Sequence, residues 1–210
     1  MLASAQADLE AALALEPDHV SYYELTLAPE TPFGQRHRKG QPPLPGEDAV
    51  LAMEDQALAL LETAGLKRYE VSNYARPGRE CRHNQDTWRG GDYLALGPGA
   101  HAHLNGVRWA YLSDVAAYLD AVEAGGEPLA MREELSGRQR ALELMLLGLR
   151  TVEGVDLAAV ARLWPGSRGP EWTGARERLV RRGWAVLDGG WLRPTALGLR
   201  LADAAAALFA

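Results

Sequence analysis

The chain has 210 residues, of which 47% are hydrophobic, and its formal net charge is −6 at pH 7. That length accommodates one large domain or two small ones with an ordinary buried core. No apolar run approaches the roughly 18 residues of a membrane span, and MLASAQADLEAAL lacks the features of a signal peptide. The single cysteine, Cys81, excludes an internal disulfide and a three-cysteine iron–sulfur site within this chain, and favours a cytoplasmic location.

The charge is unevenly distributed along the chain. Residues 1–135 contain 11 Lys and Arg against 21 Asp and Glu, a balance of −10. Residues 136–210 contain 11 Arg against 7 Asp and Glu, a balance of +4. This break predicts an acidic first domain and a mildly basic second domain.

Helix and strand signals alternate in the first part of the chain. They predict, in order, a helix at Leu2–Leu15, a strand at Val20–Leu27, an exposed Pro-rich loop at Thr31–Pro45, a helix at Glu47–Ala64, and strands at Arg68–Tyr74 and Tyr93–Leu96. This order indicates a parallel α/β layout. A sheet made of these strands alone has an uncovered edge. We therefore expect a preceding segment or another chain to cover it.

The second part of the chain is mainly helical. It predicts helices at Asp114–Ala124, Ser136–Leu149, Val155–Leu163, Glu171–Arg182 and Thr195–Phe209, with a β-hairpin turning at Asp188-Gly189-Gly190. Ser136 has the side chain of a helix N-cap. Short helices followed by a hairpin are typical of a winged-helix module.

Several strings carry a family resemblance in one consistent order. They are HVSYYELTLAPETPFG at His19–Gly34, LPGED at Leu44–Asp48, YEVSNYARPG at Tyr69–Gly78, HNQDTW at His83–Trp88, YLALGPGAH at Tyr93–His101 and LGLRTVEGVD at Leu147–Asp156. As a set, they resemble the C-terminal two-thirds of the oxygen-independent coproporphyrinogen III oxidase family of radical-SAM proteins. The chain is most similar to the HemW-type branch, whose members act as haem chaperones.

The resemblance implies a fold and a division of the chain. It implies the C-terminal part of a radical-SAM partial (β/α) barrel at residues 1–112, a connecting helix and linker at 113–135, and a winged-helix-like α+β domain at 136–210. The family binds a 4Fe-4S cluster through a cysteine triplet that this chain lacks. We therefore expect no radical catalysis from this chain alone, and expect a segment or chain that supplies the rest of the barrel.

The resemblance also implies a haem site in HNQDTW. His83 is then the candidate ligand of the haem iron, with Asn84 and Trp88 beside it, and porphyrin or haem is the expected partner. The branch has Tyr where this chain has Thr87. An alternative is that His83 and Asn84 brace a loop through hydrogen bonds to the backbone. Cys81 is interpreted as a free loop cysteine.

A second set of residues is implied to surround S-adenosylmethionine and substrate. By resemblance, Leu25 and Thr26 lie beside the adenine, and Gly97, Gly99, Ala100 and His101 line the cavity where cofactor and substrate meet. Gly97–His101 also has the composition of a tight turn into a strand, and the two interpretations are compatible. His101 and His103 alternate along that strand, so they share one face, and with His83 they also permit a three-histidine metal site.

Two other functions remain open from the sequence. One is an oxygen-independent coproporphyrinogen III oxidase of haem biosynthesis. The other is a winged-helix module that binds DNA or protein through Glu171–Arg182, which carries Arg176, Arg178, Arg181 and Arg182. Glu171 and Glu177 on the same helix and the negative net charge disfavour nucleic acid.

Overall fold

A computed structural model describes residues 2–40 and 44–210, which divide into two compact units, one ending at Glu80 and the other Cys81–Ala210. This division lies earlier than the boundary near residue 112 expected from the sequence. Within the described residues, no helix has both the length and the apolar character needed to cross a membrane.

The first unit combines helices with one small sheet. Its elements are α1 (Leu2–Leu13), β1 (His19–Ser21), α2 (Pro32–Arg38), α3 (Glu47–Thr63), β2 (Lys67–Arg68) and β3 (Asn73–Ala75). The sheet order is β1-β3-β2, and both outer strands run antiparallel to β3. Leu9 of α1 and Leu61 of α3 pack with Leu66 and Tyr74 in its core.

Several predictions for this unit are wrong in detail. The expected parallel pairing is replaced by antiparallel pairing, because β3 folds back from β2 and lies between β1 and β2. The strand predicted at Val20–Leu27 ends at Ser21, and the one at Arg68–Tyr74 is interrupted. The loop predicted at Thr31–Pro45 contains α2, because the Thr31 side chain accepts a hydrogen bond from the Gly34 N–H and Pro32 suits a first helical position. Residues 41–43 of that loop lie outside the described residues.

The second unit begins with a short helix and an antiparallel sheet. Its first elements are α4 (Arg82–Trp88), β4 (His101–Leu104), β5 (Val107–Tyr111), α5 (Val115–Glu123) and β6 (Leu129–Glu134). The sheet order is β4-β5-β6. Asn105 and Gly106, with φ values of 53° and 82°, form the two-residue turn between β4 and β5. The strand predicted at Tyr93–Leu96 is wrong, since only Tyr93 forms a bridge there, to His103.

The remainder of the second unit has winged-helix element order. Its elements are α6 (Gly137–Gly148), β7 (Val155–Asp156), α7 (Leu157–Leu163), a 3₁₀ helix (Pro165–Arg168), α8 (Pro170–Arg181), β8 (Ala185–Asp188), β9 (Trp191–Pro194), α9 (Ala196–Arg200) and α10 (Ala202–Ala206). The sheet order is β7-β9-β8. The predicted hairpin and the Ser136 N-cap are confirmed, and Gln139 completes a capping box. The single helix predicted at Thr195–Phe209 is wrong, because Leu201 leaves helical geometry at φ −107° and ψ 25°.

An aromatic cluster fills the core of this winged-helix part. The ring centroid of Trp172 lies 5.1 Å from that of Trp164 and 5.4 Å from that of Phe209, both edge-on. Trp172 and Phe209 are each 1% exposed. Edge-to-face aromatic pairs add stabilisation beyond the area that they bury, so this cluster is the packing centre of the winged-helix part.

Candidate functional site

The HNQDTW motif forms helix α4 rather than a loop. Cys81 is the N-cap of α4, and the Thr87 hydroxyl donates to the His83 carbonyl over 3.0 Å. The proposal that His83 and Asn84 brace a loop is therefore wrong, because both have helical backbone. Residues four apart share a helix face, so His83 lies with Thr87, and Asn84 lies with Trp88.

The His83 imidazole is exposed and uncommitted. Among the residues that the structure describes, none forms a hydrogen bond or ion pair with it. Trp88 is half-buried and five positions along the helix, so it lies on a different side from His83. The helix therefore leaves His83 accessible but does not place Trp88 on the same face.

A cavity of about 340 Å³ lies at the C-terminal end of α4 and is named here the Arg140 cavity. That volume is at the lower end of the range for small-molecule sites. The residues that line it come from the end of α4 and the segment after it, from the β4–β5 hairpin, from α6 and from the end of α7. They include Thr87, Arg89, Tyr93, His103, Arg108, Arg140, Glu143, Leu144, Leu147 and Leu163.

The charged lining of the Arg140 cavity is mostly paired. Arg108 forms ion pairs with Glu133 and Glu143, and its hydrogen bond to Glu133 is the main cause that raises its pKa above the ordinary value. The Nη2 atom of Arg89 lies 2.8 Å from Glu153 Oε2, so these two residues form an ion pair. Arg140 is half-buried and has no partner among residues 2–40 and 44–210. The cavity therefore contains a cation whose charge no neighbouring carboxylate neutralises.

His103 is held in place within the same cavity. Its Nδ1 lies 3.3 Å from the Gly91 carbonyl oxygen and 3.6 Å from Asp92 Oδ1, and its side chain is 14% exposed. His101, on the same face of β4, is exposed. No group of three metal-binding side chains is found in the described part of the chain, so His83, His101 and His103 do not form a metal site there.

Gly97–His101 forms a tight turn that leads into β4. Gly97 and Gly99 have φ values of 90° and 71°. The Gly99 N–H donates to the Leu112 carbonyl and the Tyr111 N–H donates to the Ala100 carbonyl. The turn itself is closed by the Ala100 N–H, which donates to the Gly97 carbonyl over 3.3 Å. None of Gly97, Gly99, Ala100 and His101 lines the Arg140 cavity. Their role towards S-adenosylmethionine stays a prediction.

In the first unit, Leu25 and Thr26 are exposed on an extended segment after β1. Leu25 lines a separate cavity of about 420 Å³, together with Tyr22, Glu54 and Tyr74. Burial raises the pKa of both tyrosines. Thr26 does not line this cavity. The role of Leu25 and Thr26 beside the adenine stays a prediction.

Glu70, in the YEVSNYARPG string, is a polar residue that the sequence does not single out. It is fully buried, and this burial raises the pKa of its carboxyl group. The Ser72 N–H donates to Glu70 Oε2, whereas Oε1 has no hydrogen-bond partner. Neither cavity described above is lined by Glu70.

Most arginines of the candidate recognition helix α8 already interact with other groups of the chain. Arg176 donates to the Ser167 carbonyl and to Thr173, and burial lowers its pKa. Arg181 pairs with Glu177, and Arg182 lies over the Trp184 ring. Arg178 alone of the four is exposed without a partner in the described chain. This arrangement disfavours a phosphate-binding surface, which needs several free cations.

Comparisons with known proteins match both the fold and the sequence. The family model of the HemN C-terminal domain matches residues 135–201. Heme chaperone HemW of Bacillus subtilis is 32% identical over 148 residues, which are 70% of this chain and 39% of that protein. HemW of Escherichia coli is 46% identical over 103 residues, which are 49% of this chain and 26% of that protein. The chain is therefore similar to a C-terminal part of HemN and HemW proteins.

A solved structure supports the fold assignment independently of sequence identity. The coproporphyrinogen III oxidase HemN of Escherichia coli, a radical SAM enzyme, matches with a TM-score of 0.78 at 18% identity. The match covers 96% of this chain and 50% of HemN. The predicted fold, part of a radical-SAM barrel with a winged-helix-like domain, is confirmed. The match spans about two fifths of the Bacillus subtilis HemW and about a quarter of the Escherichia coli HemW.

The residues present do not fit an iron–sulfur cluster held by three thiolates. Cys81 is the one cysteine in the sequence, and its half-buried side chain makes no capping bond to α4. The radical chemistry named for HemN is therefore not assigned to these residues.

The lining of the Arg140 cavity was missed from the sequence, although two signals predict it. Asn105-Gly106 between HAHL and VRWAY is a strong hairpin signal, and the hairpin places His103 and Arg108 together. Arg140, Glu143, Leu144 and Leu147 have the i, i+3, i+4, i+7 spacing of one helix face.

Proposed function

We propose that this chain is a haem-binding part of a HemW-type haem chaperone. The observation that carries the proposal is the exposed, uncommitted imidazole of His83 in the HNQDTW helix of a chain similar to HemW proteins. A neutral imidazole nitrogen is a common ligand of haem iron. Haem is the cargo in this proposal, and its release requires that His83 is not enclosed, which agrees with its exposure.

The coproporphyrinogen oxidase alternative is not favoured. The sequence relatives named above are haem chaperones, and the likeness to HemN, at 18% identity, concerns the fold. We also propose a cytoplasmic location, which the single free cysteine supports.

The rest of a barrel is proposed to come from a further segment or from another chain. The first unit has β1 at the edge of its sheet, and Tyr23 and Leu25 just beyond it are 72% and 60% exposed. Unpaired strand edges and exposed apolar side chains are surfaces that further strands cover. In that proposal S-adenosylmethionine and the cluster, including contacts from Leu25, Thr26 and Gly97–His101, belong to the completed protein.

Haemin titration of the 210-residue chain tests the haem proposal. We expect a Soret band whose position reports histidine ligation, and we expect His83→Ala to abolish that signature. Because His83 is exposed and unbonded, the substitution should change the free energy of unfolding by less than about 0.5 kcal/mol.

His101→Ala is the matched control, because His101 is another exposed histidine of the same unit and does not line the Arg140 cavity. This variant should keep the wild-type Soret band. Loss of the band in His101→Ala but not in His83→Ala, or no band with the wild type, would overturn the proposal.

A further inference from the structure

The Arg140 cavity contains a half-buried cation without a counter-ion among the residues that the structure describes. A charged group that is withdrawn from water without a partner loses hydration energy that nothing returns. Such a group is therefore poised to gain from an anion that enters the cavity. The other two guanidinium groups of the lining already have carboxylate partners, Glu153 for Arg89 and Glu133 with Glu143 for Arg108.

The stem of Arg140 lies against the β4–β5 turn. Gly106, in the β4–β5 turn, is buried, and a Cβ atom added there would lie 3.2 Å from both Cδ and Nε of Arg140. The absence of that side chain lets the arginine stem lie against the turn. A guanidinium group that is already positioned loses less conformational freedom when it binds a carboxylate in a bidentate manner.

A neighbouring ion-pair network keeps Arg140 available. Glu143 lines the same cavity and is the carboxylate nearest in sequence that could neutralise Arg140. It is instead bound by Arg108, which Glu133 also holds. Arg108 therefore sequesters the acidic residue of the lining, and the cavity lining retains three guanidinium groups against one carboxylate.

The rest of the lining is apolar. Leu144, Leu146 and Leu147 of α6 and Leu163 of α7 contribute to it, and Tyr93 adds an aromatic ring. A small inorganic anion would leave this surface without a partner. The combination favours a ligand that joins a carboxylate to a flat or bulky apolar body.

The position of Thr87 connects this cavity with the proposed haem ligand. Thr87 lines the cavity, and His83 lies one helical turn before it on the same face of α4. One turn corresponds to about 5.4 Å along the helix axis. A flat ligand bound at His83 and following this face reaches the cavity from the side of Thr87.

We propose that the Arg140 cavity binds the carboxylate-bearing edge of a tetrapyrrole, with Arg140 as the cation that pairs with the carboxylate. This inference rests on the proposed haem function and names the second point at which the same cargo is held. In this arrangement His83 recognises the metal and Arg140 recognises the acid side chain. The cavity therefore orients the macrocycle and discriminates against tetrapyrroles whose carboxylates are blocked.

The test compares haemin and iron-free protoporphyrin IX with their dimethyl esters, by absorbance and by quenching of tryptophan fluorescence. We expect Arg140→Gln to weaken binding of both free acids roughly tenfold, as expected for loss of one charge-assisted hydrogen-bonded pair. The variant should not change the affinity for the esters, and Arg140→Lys should restore part of the lost affinity. Arg178→Gln removes an exposed, unpaired arginine elsewhere in the unit and should bind like the wild type.

The outcomes separate this inference from the proposed function. If haemin binds through His83 but Arg140→Gln binds acids and esters as the wild type does, the cavity inference is overturned and the haem function stands. If haemin shows no histidine ligation while iron-free protoporphyrin IX binds in an Arg140-dependent way, the cavity inference stands and the haem function fails. If Arg178→Gln weakened binding of the free acids as much as Arg140→Gln does, the effect would be one of net charge, and the inference would be overturned.

Discussion

Two regions of the Cys81–Ala210 unit differ in what fills them. The core of the winged-helix part is filled by aromatic rings, with Trp172 and Phe209 each 1% exposed. The Arg140 cavity is bordered by half-buried charged groups, and about 340 Å³ is left open. Closely packed apolar side chains stabilise the fold. An open cavity with an unpaired cation contributes less to folding stability but is accessible to a ligand. The winged-helix core therefore supplies stability, and the Arg140 cavity supplies a surface that is open to a ligand.

The largest expected effect comes from emptying the aromatic core. Trp172→Ala should lower the free energy of unfolding by about 3–5 kcal/mol, because it removes a fully buried ring and leaves a void. All six tryptophans of the sequence lie in this unit, from Trp88 to Trp191, so urea denaturation followed by tryptophan fluorescence reports on it alone.

Two further variants show how much of the stability loss in Trp172→Ala is due to the emptied core position. Trp172→Phe should cost less than Trp172→Ala, because the edge contacts persist and the indole N–H, which has no partner, is removed. Trp191→Ala removes a half-buried ring from β9 and should also cost less. If Trp191→Ala destabilised the unit as much as Trp172→Ala, the aromatic cluster would not be the packing centre of the winged-helix part.

A smaller effect is expected from filling the turn that supports the cavity. Gly106→Ala should lower the free energy of unfolding by about 1–2 kcal/mol, because φ is 82° at this position. It should also weaken porphyrin binding, since the added methyl group displaces the stem of Arg140.

Gly125→Ala is the matched control for that prediction. Gly125 has φ of 73°, and a Cβ there would meet nothing within 4 Å. It should show a similar loss of stability, measured by the same denaturation, with unchanged porphyrin affinity. Equal binding by the two variants would contradict the idea that the turn positions Arg140.

The sequence predicts local structure better than it predicts which strands pair. The Ser136 cap and the Asp188-Gly189-Gly190 hairpin are confirmed, because each depends on residues within a few positions of one another. The strands of the first unit are wrong in extent and direction. Their β-forming residues favour an extended backbone, but the partner of each strand is decided by residues some 50 positions away, as in the pairing of Val20 with Tyr74.

The candidate site shows the same limit. The motif HNQDTW identifies His83, but only the helical geometry shows that Thr87, not Trp88, shares its face. Arg140 belongs to no sequence motif. It is a candidate binding residue because Glu143, the acidic residue of the cavity lining, forms an ion pair with Arg108 and not with Arg140. A sequence contains every one of these charges, whereas which of them are paired depends on the tertiary structure.

The smallest expected effect on stability tests that pairing directly. Arg108→Gln breaks its ion pairs with Glu133 and Glu143, whose side chains are 36% and 30% exposed. Because solvent screens such groups, the free energy of unfolding should fall by less than about 1 kcal/mol, and the difference should shrink in 1 M salt. Porphyrin affinity should nevertheless fall, because a released Glu143 can neutralise Arg140.

Arg181→Gln, which breaks the exposed pair with Glu177, should have a similarly small effect on stability and none on porphyrin binding. If Arg108→Gln bound porphyrin acids as tightly as the wild type, Arg108 would not be the residue that keeps Glu143 away from Arg140.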